Sequence, residues 1–293
     1  MPETTDIRAA AAPLLEEAKE DASLCRFTRL RQEEDADAFY GAWRVDAPGG
    51  VYFLKKNKGF EREVYGRVFA GAALPVPARY AADETYSLYE FFSGESLCRA
   101  SRDSLTLALD ALLSMQTALL SRPAAAGVTA EQELAHMAAR AEWLPGGDIS
   151  DAYAAYLDAY PRTPAVFGHG DLLPFNVLTG GGRAVLIDWE YAGTLPYAAP
   201  LARLIAHGED NADALFCLRD ADRAYAARYY GEHIPAALGV APHEYIRTIG
   251  LFVFAEYCEW VYLGERYGDT DTPRYRRYRT LADRAAAAIC KNF

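Results

Sequence analysis

Residues 166–193 read VFGHGDLLPFNVLTGGGRAVLIDWEYAG. The segment begins with two apolar residues and then breaks into His169, Gly170 and Asp171, with Asn176 five positions after the aspartate. Two short apolar runs follow on either side of TGGGR, a pattern typical of a β-hairpin with glycines at its turn. The second run ends at Asp188. The hairpin is therefore expected to bring Asp171, Asn176 and Asp188 to one end of a small β unit.

These three side chains match a known chemistry. A carboxylate that orients a hydroxyl group, followed by an amide and a second carboxylate that hold magnesium, is the arrangement of a phosphoryl-transfer site. Protein kinases carry the same groups as H-R-D-L-x-x-x-N followed by D-F-G. Asp171 is therefore predicted to be catalytic, and Asn176 and Asp188 to be metal ligands. A turn and a strand end with solvated acids would explain either motif alone, but hardly both in this order and spacing.

Apolar periodicity predicts the elements around this segment. Strands are predicted at residues 24–30, 38–45, 51–56 and 86–92. Helices are predicted at residues 7–21, 60–70, 103–120, 129–143, 148–160, 212–230, 242–267 and 273–289. Thr129, with Gln132 three positions later, is expected to form a capping box at the start of one of these helices.

The segments HGDLLPFN (169–176) and IDWEYAG (187–193) resemble the aminoglycoside phosphotransferase and choline kinase superfamily. The DWEY form is most similar to bacterial choline kinases of the LicA type, and the resemblance covers about residue 52 to the C-terminus. It implies an α+β, bilobal, protein-kinase-like fold. Residues 1–92 would form a small nucleotide-binding lobe with an antiparallel sheet, and residues 93–293 a larger helical lobe. The resemblance also implies ATP and Mg²⁺ as cofactors.

The nucleotide-binding residues follow from the same resemblance. The strand at residues 51–56 matches the one that carries the ATP-binding lysine, and alternation along it places Lys55 toward the cleft and Lys56 away from it. Glu63 fits the family spacing for the carboxylate that pairs with Lys55, and Glu61 is the rival partner. In the connection between the lobes, the carbonyl of Glu90 and the N–H of Phe92 are expected to pair with adenine.

Two features depart from the family pattern. The turn that covers the phosphates in kinases is usually rich in glycine, whereas here it contains four acids, Glu33, Glu34, Asp35 and Asp37. Carboxylates beside a triphosphate are unfavourable unless a cation intervenes, so the tip of this turn is expected to face water. Pro200 stands where the family usually has an aspartate that braces the catalytic loop.

The predicted helix at residues 242–267 is the candidate wall of the acceptor site. Tyr257 and Trp260 are three positions apart and share a helix face. In choline kinases two aromatic residues at this spacing wall the trimethylammonium pocket, and Glu256 and Glu259 could add negative charge. The alternative is that the aromatic residues form a core stripe. Tyr191, in the DWEY segment, is a further candidate for contact with the acceptor.

Composition limits the class of partner. The net charge is −11, which argues against nucleic acid or an anionic membrane surface and suits a cationic substrate. The five cysteines include no C-x-x-C pair, as expected of free thiols in a reducing cytosol. The N-terminal residues do not resemble a signal peptide, and no apolar run is long enough to span a bilayer. A cytoplasmic location is therefore expected.

The sequence thus predicts a kinase that transfers the γ-phosphoryl group of ATP to a hydroxyl of a small cationic acceptor. Choline or a related amino alcohol is the preferred acceptor, and an aminoglycoside is the alternative. A hypothesis of another class is a non-catalytic nucleotide-binding pseudokinase, which the acidic turn and Pro200 would favour.

Overall fold

The computed structural model describes residues 3–32, 37–120 and 126–292. The chain begins with helix α1 (Glu3–Glu17), and a five-stranded antiparallel sheet with the strand order β1-β2-β3-β5-β4 follows. Its strands are β1 (Arg26–Arg31), β2 (Phe39–Ala47), β3 (Gly50–Lys56), β4 (Arg79–Ala82) and β5 (Tyr86–Glu90). Helix α2 (Glu61–Arg67) lies between β3 and β4 in the chain.

The two faces of the sheet have different partners. Tyr52 and Leu54 of β3 are buried in one small core together with Leu14 and Leu15 of α1. Because side chains alternate along a strand, Lys55 lies on the opposite face. The predicted strand register is therefore confirmed, and it places the Lys55 side chain toward the rest of the molecule.

The remainder of the chain is mainly helical. Its helices are α3 (Arg102–Leu119), α4 (Ala130–Arg140), α5 (Asp148–Ala159), α6 (Ala198–Ala206), α7 (Asp220–Gly231), α8 (Ile234–Ala237), α9 (Pro242–Tyr267) and α10 (Pro273–Asn292). Its short strands are β6 (Glu95–Ser96), β7 (Ala165–Gly168), β8 (Val177–Gly180), β9 (Arg183–Leu186) and β10 (Gly193–Pro196). The predicted combination of a smaller antiparallel sheet region and a larger helical region is confirmed.

Local sequence explains several element boundaries. The capping box forms as predicted, since the Thr129 hydroxyl accepts from the N–H of Gln132 (3.2 Å) and the Gln132 side chain accepts from the N–H of Thr129 (3.0 Å). The helix expected at residues 212–230 begins only at Asp220. The preceding residues pair their backbone elsewhere, because the Cys217 N–H donates to the Cys98 carbonyl (2.7 Å).

The predicted hairpin consists of β8 and β9, in which Val177 pairs with Leu186. Gly181 and Gly182 at its turn have φ of +58° and +74°. Such φ values are favourable only for glycine and a few small polar residues, so GG at this point fixes the two-residue turn and thereby the strand register. No helix in the described ranges is long and apolar enough to cross a membrane.

Candidate active site

A short loop after β7 carries Asp171. The φ of Gly170 is +79°, and a Cβ atom at this position would lie only 2.1 Å from the carbonyl oxygen of Tyr191. His169 is fully buried, and its Nε2 lies 2.7 Å from the carbonyl oxygen of Ile187. Burial lowers the pKa of His169 to about 4, so the ring is neutral and donates from Nε2 to this carbonyl. The loop is therefore held by glycine geometry and by a buried histidine.

Asn176 joins this loop to the Asp188 segment. Its side-chain Nδ2 donates to the backbone carbonyl of Asp171 (2.7 Å), and its own carbonyl accepts from the N–H of Ile187 (3.0 Å). Asp188, the next residue, adopts a left-handed conformation with φ of +66°. The structure thus brings together the segments that carry the three groups singled out by the sequence. In the part of the chain that the structure describes, no hydrogen bond to Asn176 Oδ1 is present.

The sheet supplies a lysine to the same point. The Lys55 ammonium lies 2.6 Å from Asp188 Oδ1 and 2.7 Å from Glu61 Oε2. Burial lowers the pKa of Lys55, but these two carboxylates outweigh that effect and raise it to about 12. Lys55 is therefore a charged group fixed between the two regions of the molecule.

The partner of Lys55 is Glu61, and the expectation of Glu63 is corrected. Glu61 is the first residue of α2 and is buried, and its Oε1 accepts from the N–H of Trp189 (3.4 Å). Glu63, two positions later, lies about 200° further around the helix and is exposed. The start of α2 is also fixed by a bond from the Phe60 N–H to the Glu190 carbonyl (3.0 Å).

Arg203 of α6 is the main site residue that sequence reasoning missed. Its Nε donates to Asp171 Oδ1 (2.9 Å), and its Nη1 donates to Glu256 Oε2 (2.7 Å) and also pairs with Glu259. Pro200 is buried one turn earlier on the same helix, and a Cβ atom at Gly168 would lie only 3.2 Å from its Cγ. The i, i+3 spacing of Pro200 and Arg203 was the one signal that the sequence offered, because it puts both residues on the helix face toward β7 and the loop that follows it.

The pKa values around Arg203 reflect opposing effects. Burial raises the pKa of Asp171, and the attraction of Arg203 opposes this without cancelling it. Burial also disfavours the ionised form of Glu256, but Arg203 and the His207 ring outweigh it and hold the pKa of Glu256 well below its usual range. Glu256 is therefore ionised and forms a charge pair with Arg203.

A cavity of about 360 Å³ opens beside Asp171. Tyr191, Glu256 and Glu259, which the sequence analysis considered for the acceptor site, line this cavity. Their contact with an acceptor stays a prediction. The lining also includes residues that the sequence did not indicate, namely Glu133, His136, Met137, Arg140, Tyr156, Tyr160, Leu195, Ala199, Arg203 and Phe252. Four carboxylates and two guanidinium groups thus surround the space.

Comparison with known proteins agrees with this geometry. Residues 24–238 match the model of the phosphotransferase enzyme family. The chain belongs to this family. Its resemblance to the aminoglycoside phosphotransferase and choline kinase superfamily is therefore confirmed, and so is the prediction of a phosphotransferase with a hydroxyl group as acceptor. No curated protein sequence matches the chain closely enough to be reported as a relative.

Solved structures show the same fold. Choline kinase LicA from Streptococcus pneumoniae has a TM-score of 0.64 at 14% identity, over 97% of this chain and 98% of that one. A Plasmodium vivax ethanolamine kinase has a TM-score of 0.61 at 14% identity, over 98% and 89%. Aminoglycoside phosphotransferase APH(4)-Ia has a TM-score of 0.59 at 20% identity, over 95% and 98%.

Tyr257 and Trp260 do not line the cavity of this phosphotransferase, so the expected aromatic wall is corrected. Trp260 instead stacks on Tyr278 of α10, with ring centroids 5.6 Å apart, and the guanidinium of Arg274 lies 4.6 Å from its ring. Successive residues of a helix are about 100° apart. When Glu256 and Glu259 face the cavity, the residues that follow each of them are therefore turned toward α10.

This placement gives a prediction for Trp260→Leu. We expect it to lower the free energy of unfolding by about 1–3 kcal/mol, because the smaller side chain loses the stacking contact and leaves a gap against α10. The Michaelis constant for the acceptor should not change. Thermal denaturation and steady-state kinetics on the same preparation test this, with Trp143→Leu, at an exposed site, as control. A raised Michaelis constant for the acceptor without loss of stability would show instead that Trp260 contacts the acceptor.

The candidate site suits a magnesium ion that takes only some of its ligands from the protein and the others from the bound substrate. Among residues 3–32, 37–120 and 126–292 there is no group of three or more His, Cys, Asp or Glu side chains that could hold a metal. Asn176 and Asp188 each offer an oxygen ligand, which suits Mg²⁺ because this ion usually completes its shell with waters and substrate phosphates. Both residues remain proposed ligands.

Two expectations on the nucleotide side stay predictions. The Glu90 carboxylate accepts from the N–H of Ala78 (3.2 Å) and pairs with Arg183 (2.6 Å), while the Arg183 guanidinium lies 4.8 Å from the Phe92 ring. Adenine binding by the Glu90 carbonyl and the Phe92 N–H stays a prediction. Three acids of the phosphate turn, Glu33, Glu34 and Asp35, lie outside the described residues.

The two acids at the start of α2 form a matched pair for mutagenesis. We expect Glu61→Gln to lower kcat by roughly tenfold or more, because Lys55 would lose the ion pair that helps to position it toward the phosphates. Glu63→Gln should behave like the parent enzyme. Steady-state kinetics with ATP as the varied substrate measures both, and the reverse ranking would show that α2 begins in a different register.

Proposed function

We propose that this phosphotransferase transfers the γ-phosphoryl group of ATP, bound with Mg²⁺, to a hydroxyl of a small cationic acceptor. Choline or a related amino alcohol is the preferred acceptor. The observation that carries the proposal is the position of Asp171 in the wall of a cavity where carboxylates outnumber guanidinium groups, four to two. The excess negative charge favours a cation, and the adjacent aspartate can accept the proton of its hydroxyl.

Each residue has one role in this proposal. Lys55, held by Glu61, would bind the α- and β-phosphates, and Asn176 and Asp188 would hold the metal, which neutralises charge on the phosphates when it is bound. Asp171 would orient the acceptor hydroxyl and take its proton. Such a site accelerates the reaction mostly by positioning and electrostatic stabilisation, which is consistent with groups fixed in advance by buried ion pairs.

The walls of the cavity support an ammonium-bearing acceptor. Tyr156, Tyr160 and Phe252 lie together on one side, with ring centroids 5.1 to 5.8 Å apart. A desolvated cation over such rings gains ~2 kcal/mol. The buried hydroxyl of Tyr160 has no hydrogen-bond partner in the part of the chain that the structure describes, so it is available to a polar group of the acceptor. The volume is within the usual range for small-molecule sites.

The structural neighbours support both candidate acceptors. Two of them are a choline kinase and an ethanolamine kinase by name. A thermostable mutant of APH(4)-Ia has been solved in a ternary complex with AMP-PNP and hygromycin B. This complex supports a nucleotide as the phosphoryl donor, and it supports an aminoglycoside as the alternative acceptor. Glu133 and His136 give the cavity of the present protein a polar side that a larger polycation could also use.

A non-catalytic nucleotide-binding module is the competing hypothesis of another class. The acidic turn and Pro200 favour this hypothesis. The ion pairs of Lys55 with Glu61 and Asp188, together with Arg203 beside Asp171, argue for an enzyme, because a module that only binds nucleotide has no need of an acceptor-side carboxylate.

A panel of acceptors tests the proposal, with ADP release measured in the presence of ATP and Mg²⁺. It should contain choline, ethanolamine, hygromycin B and 3,3-dimethyl-1-butanol, the uncharged carbon analogue of choline. We expect an amino alcohol to be phosphorylated, with kcat/KM at least about tenfold higher for choline than for its neutral analogue if choline is the substrate. ATP binding without acceptor-dependent ADP release would instead support the non-catalytic module.

A further inference from the structure

The contacts of Arg203 point to a role that the family comparison does not assign. We propose that Arg203 is a positioning residue, which holds the carboxylate of Asp171 in its reactive orientation. It would replace the aspartate that usually braces the catalytic loop in this family, at the position where this chain has Pro200. The kinetic part of this inference rests on the proposed function, whereas the contact itself can be tested without activity.

The geometry selects one oxygen of Asp171. Both Nε and Nη2 of Arg203 lie 2.9 Å from Oδ1. Within the described ranges no hydrogen bond to Oδ2 is present, so Oδ2 is left to accept the proton of the acceptor hydroxyl. Nε donates a hydrogen bond to Oδ1, and Nη2 makes an ion-pair contact with the same oxygen. The rigid, planar guanidinium therefore holds Oδ1 through two nitrogen atoms.

Arg203 is itself fixed from its other end. Its Nη1 donates to Glu256 Oε2 (2.7 Å) and pairs with Glu259. His207 Nε2 lies 3.2 Å from the same Glu256 oxygen, and His207 Nδ1 lies 2.9 Å from the hydroxyl of Tyr278 on α10. A continuous series of polar contacts therefore runs from the core between α9 and α10 to Asp171.

Charge balance alone does not account for this arrangement. Glu256 and Glu259 already neutralise Arg203, so its net attraction for Asp171 is reduced, whereas its directional contacts remain. A lysine at this position would keep the positive charge, but its single nitrogen could not reproduce the contacts that Nε and Nη2 make with Asp171 and that Nη1 makes with Glu256. Arg203→Lys is therefore the variant that separates position from charge, and it avoids leaving carboxylates buried without a counter-ion.

The kinetic test uses Arg203→Lys and Arg203→Ala. For both we expect kcat to fall by about 100-fold, the scale expected when a reacting group is misplaced. The KM for ATP should stay at the parent value, and the KM for a cationic acceptor should not rise. In Arg203→Ala, added guanidinium at concentrations well below those that denature the protein should restore part of kcat.

Arg102→Ala is the matched control. Arg102 Nε donates to Asp222 Oδ1 (2.7 Å), and Asp222 is fully buried, away from the cavity. This variant also removes a guanidinium group from a buried carboxylate, so we expect reduced thermal stability with kcat unchanged. If Arg203→Lys and Arg203→Ala keep the parent kcat, Arg203 has only a structural role and the proposal is overturned.

A double-mutant cycle provides the test that needs no activity. The Tm of Arg203→Lys, Asp171→Asn and the double variant is compared with that of the parent, and we expect the two changes to be non-additive because the side chains are in contact. Additive changes would overturn the proposal. If the parent transfers phosphate to no acceptor while the changes are non-additive, the proposed function fails and the contact between Arg203 and Asp171 is supported.

Discussion

Asp171→Asn should reduce phosphoryl transfer by ~10²–10⁴-fold, the usual contribution of a positioned general base. An amide has nearly the same shape as a carboxylate but does not accept the hydroxyl proton. ATP affinity should stay close to that of the parent, because no described contact joins the Asp171 side chain to Lys55 or Asp188 and the proposed role lies on the acceptor side. Acceptor-dependent ADP release and ATP titration, performed on the same variant, separate these two effects.

The fold should survive this substitution, since Arg203 would keep Glu256 and Glu259 as partners. Asp158→Asn is a suitable control. Asp158 forms an exposed i, i+4 pair with Arg162, which contributes little to stability, so this variant should retain the parent's turnover and Tm. Turnover of Asp171→Asn at the parent's rate would contradict the assignment of the catalytic residue.

The catalytic segment could be predicted because its sequence fixes both chemistry and local geometry. Gly170 is required where the loop passes close to the Tyr191 backbone. Gly181 and Gly182 fix the hairpin turn and so determine where Asp188 lies relative to Asn176. Local rules were therefore sufficient to bring Asp171, Asn176 and Asp188 together, without knowledge of how the rest of the chain packs.

The choice between Glu61 and Glu63 depended on a helix boundary. These two acids lie nearly on opposite sides of α2, and the first helical residue decides which of them faces Lys55. Boundaries are the least certain part of a reading from sequence, with an error of about two residues. In the structure the decisive contact is tertiary, because the N–H of Trp189 donates to Glu61.

The acceptor side could not be predicted because it depends on the packing of distant helices. The face shared by Tyr257 and Trp260 has the same pattern whether it borders a cavity or another helix, and only the position of α10 decides between them. Arg203 belongs to no local sequence motif that could have revealed its role, because its partners are distant in sequence. They lie on a loop 32 residues earlier and on a helix 53 residues later.

Asparagine is the most suitable substitution for testing Asp188 as a metal ligand. Asp188 has φ of +66°, a conformation that asparagine tolerates and alanine does not, so Asp188→Asn tests the charge without straining the backbone. We expect the gain in ATP affinity that magnesium provides to fall by at least about tenfold, as even residues that only support a metal ligand cost this much. Lys55 would keep its contact with Glu61, so binding without magnesium should change less.

Titrations of ATP with Mg²⁺ and with EDTA, on the parent and the variant, measure this difference directly. Asp46→Asn is the control, because Asp46 carries the same charge on β2 and pairs only with Arg44 among the described residues. If Asp188→Asn and the parent respond equally to magnesium, Asp188 is not a metal ligand. The ion pair with Lys55 would then be its main contribution, and the metal would depend on Asn176, substrate phosphates and water for its ligands.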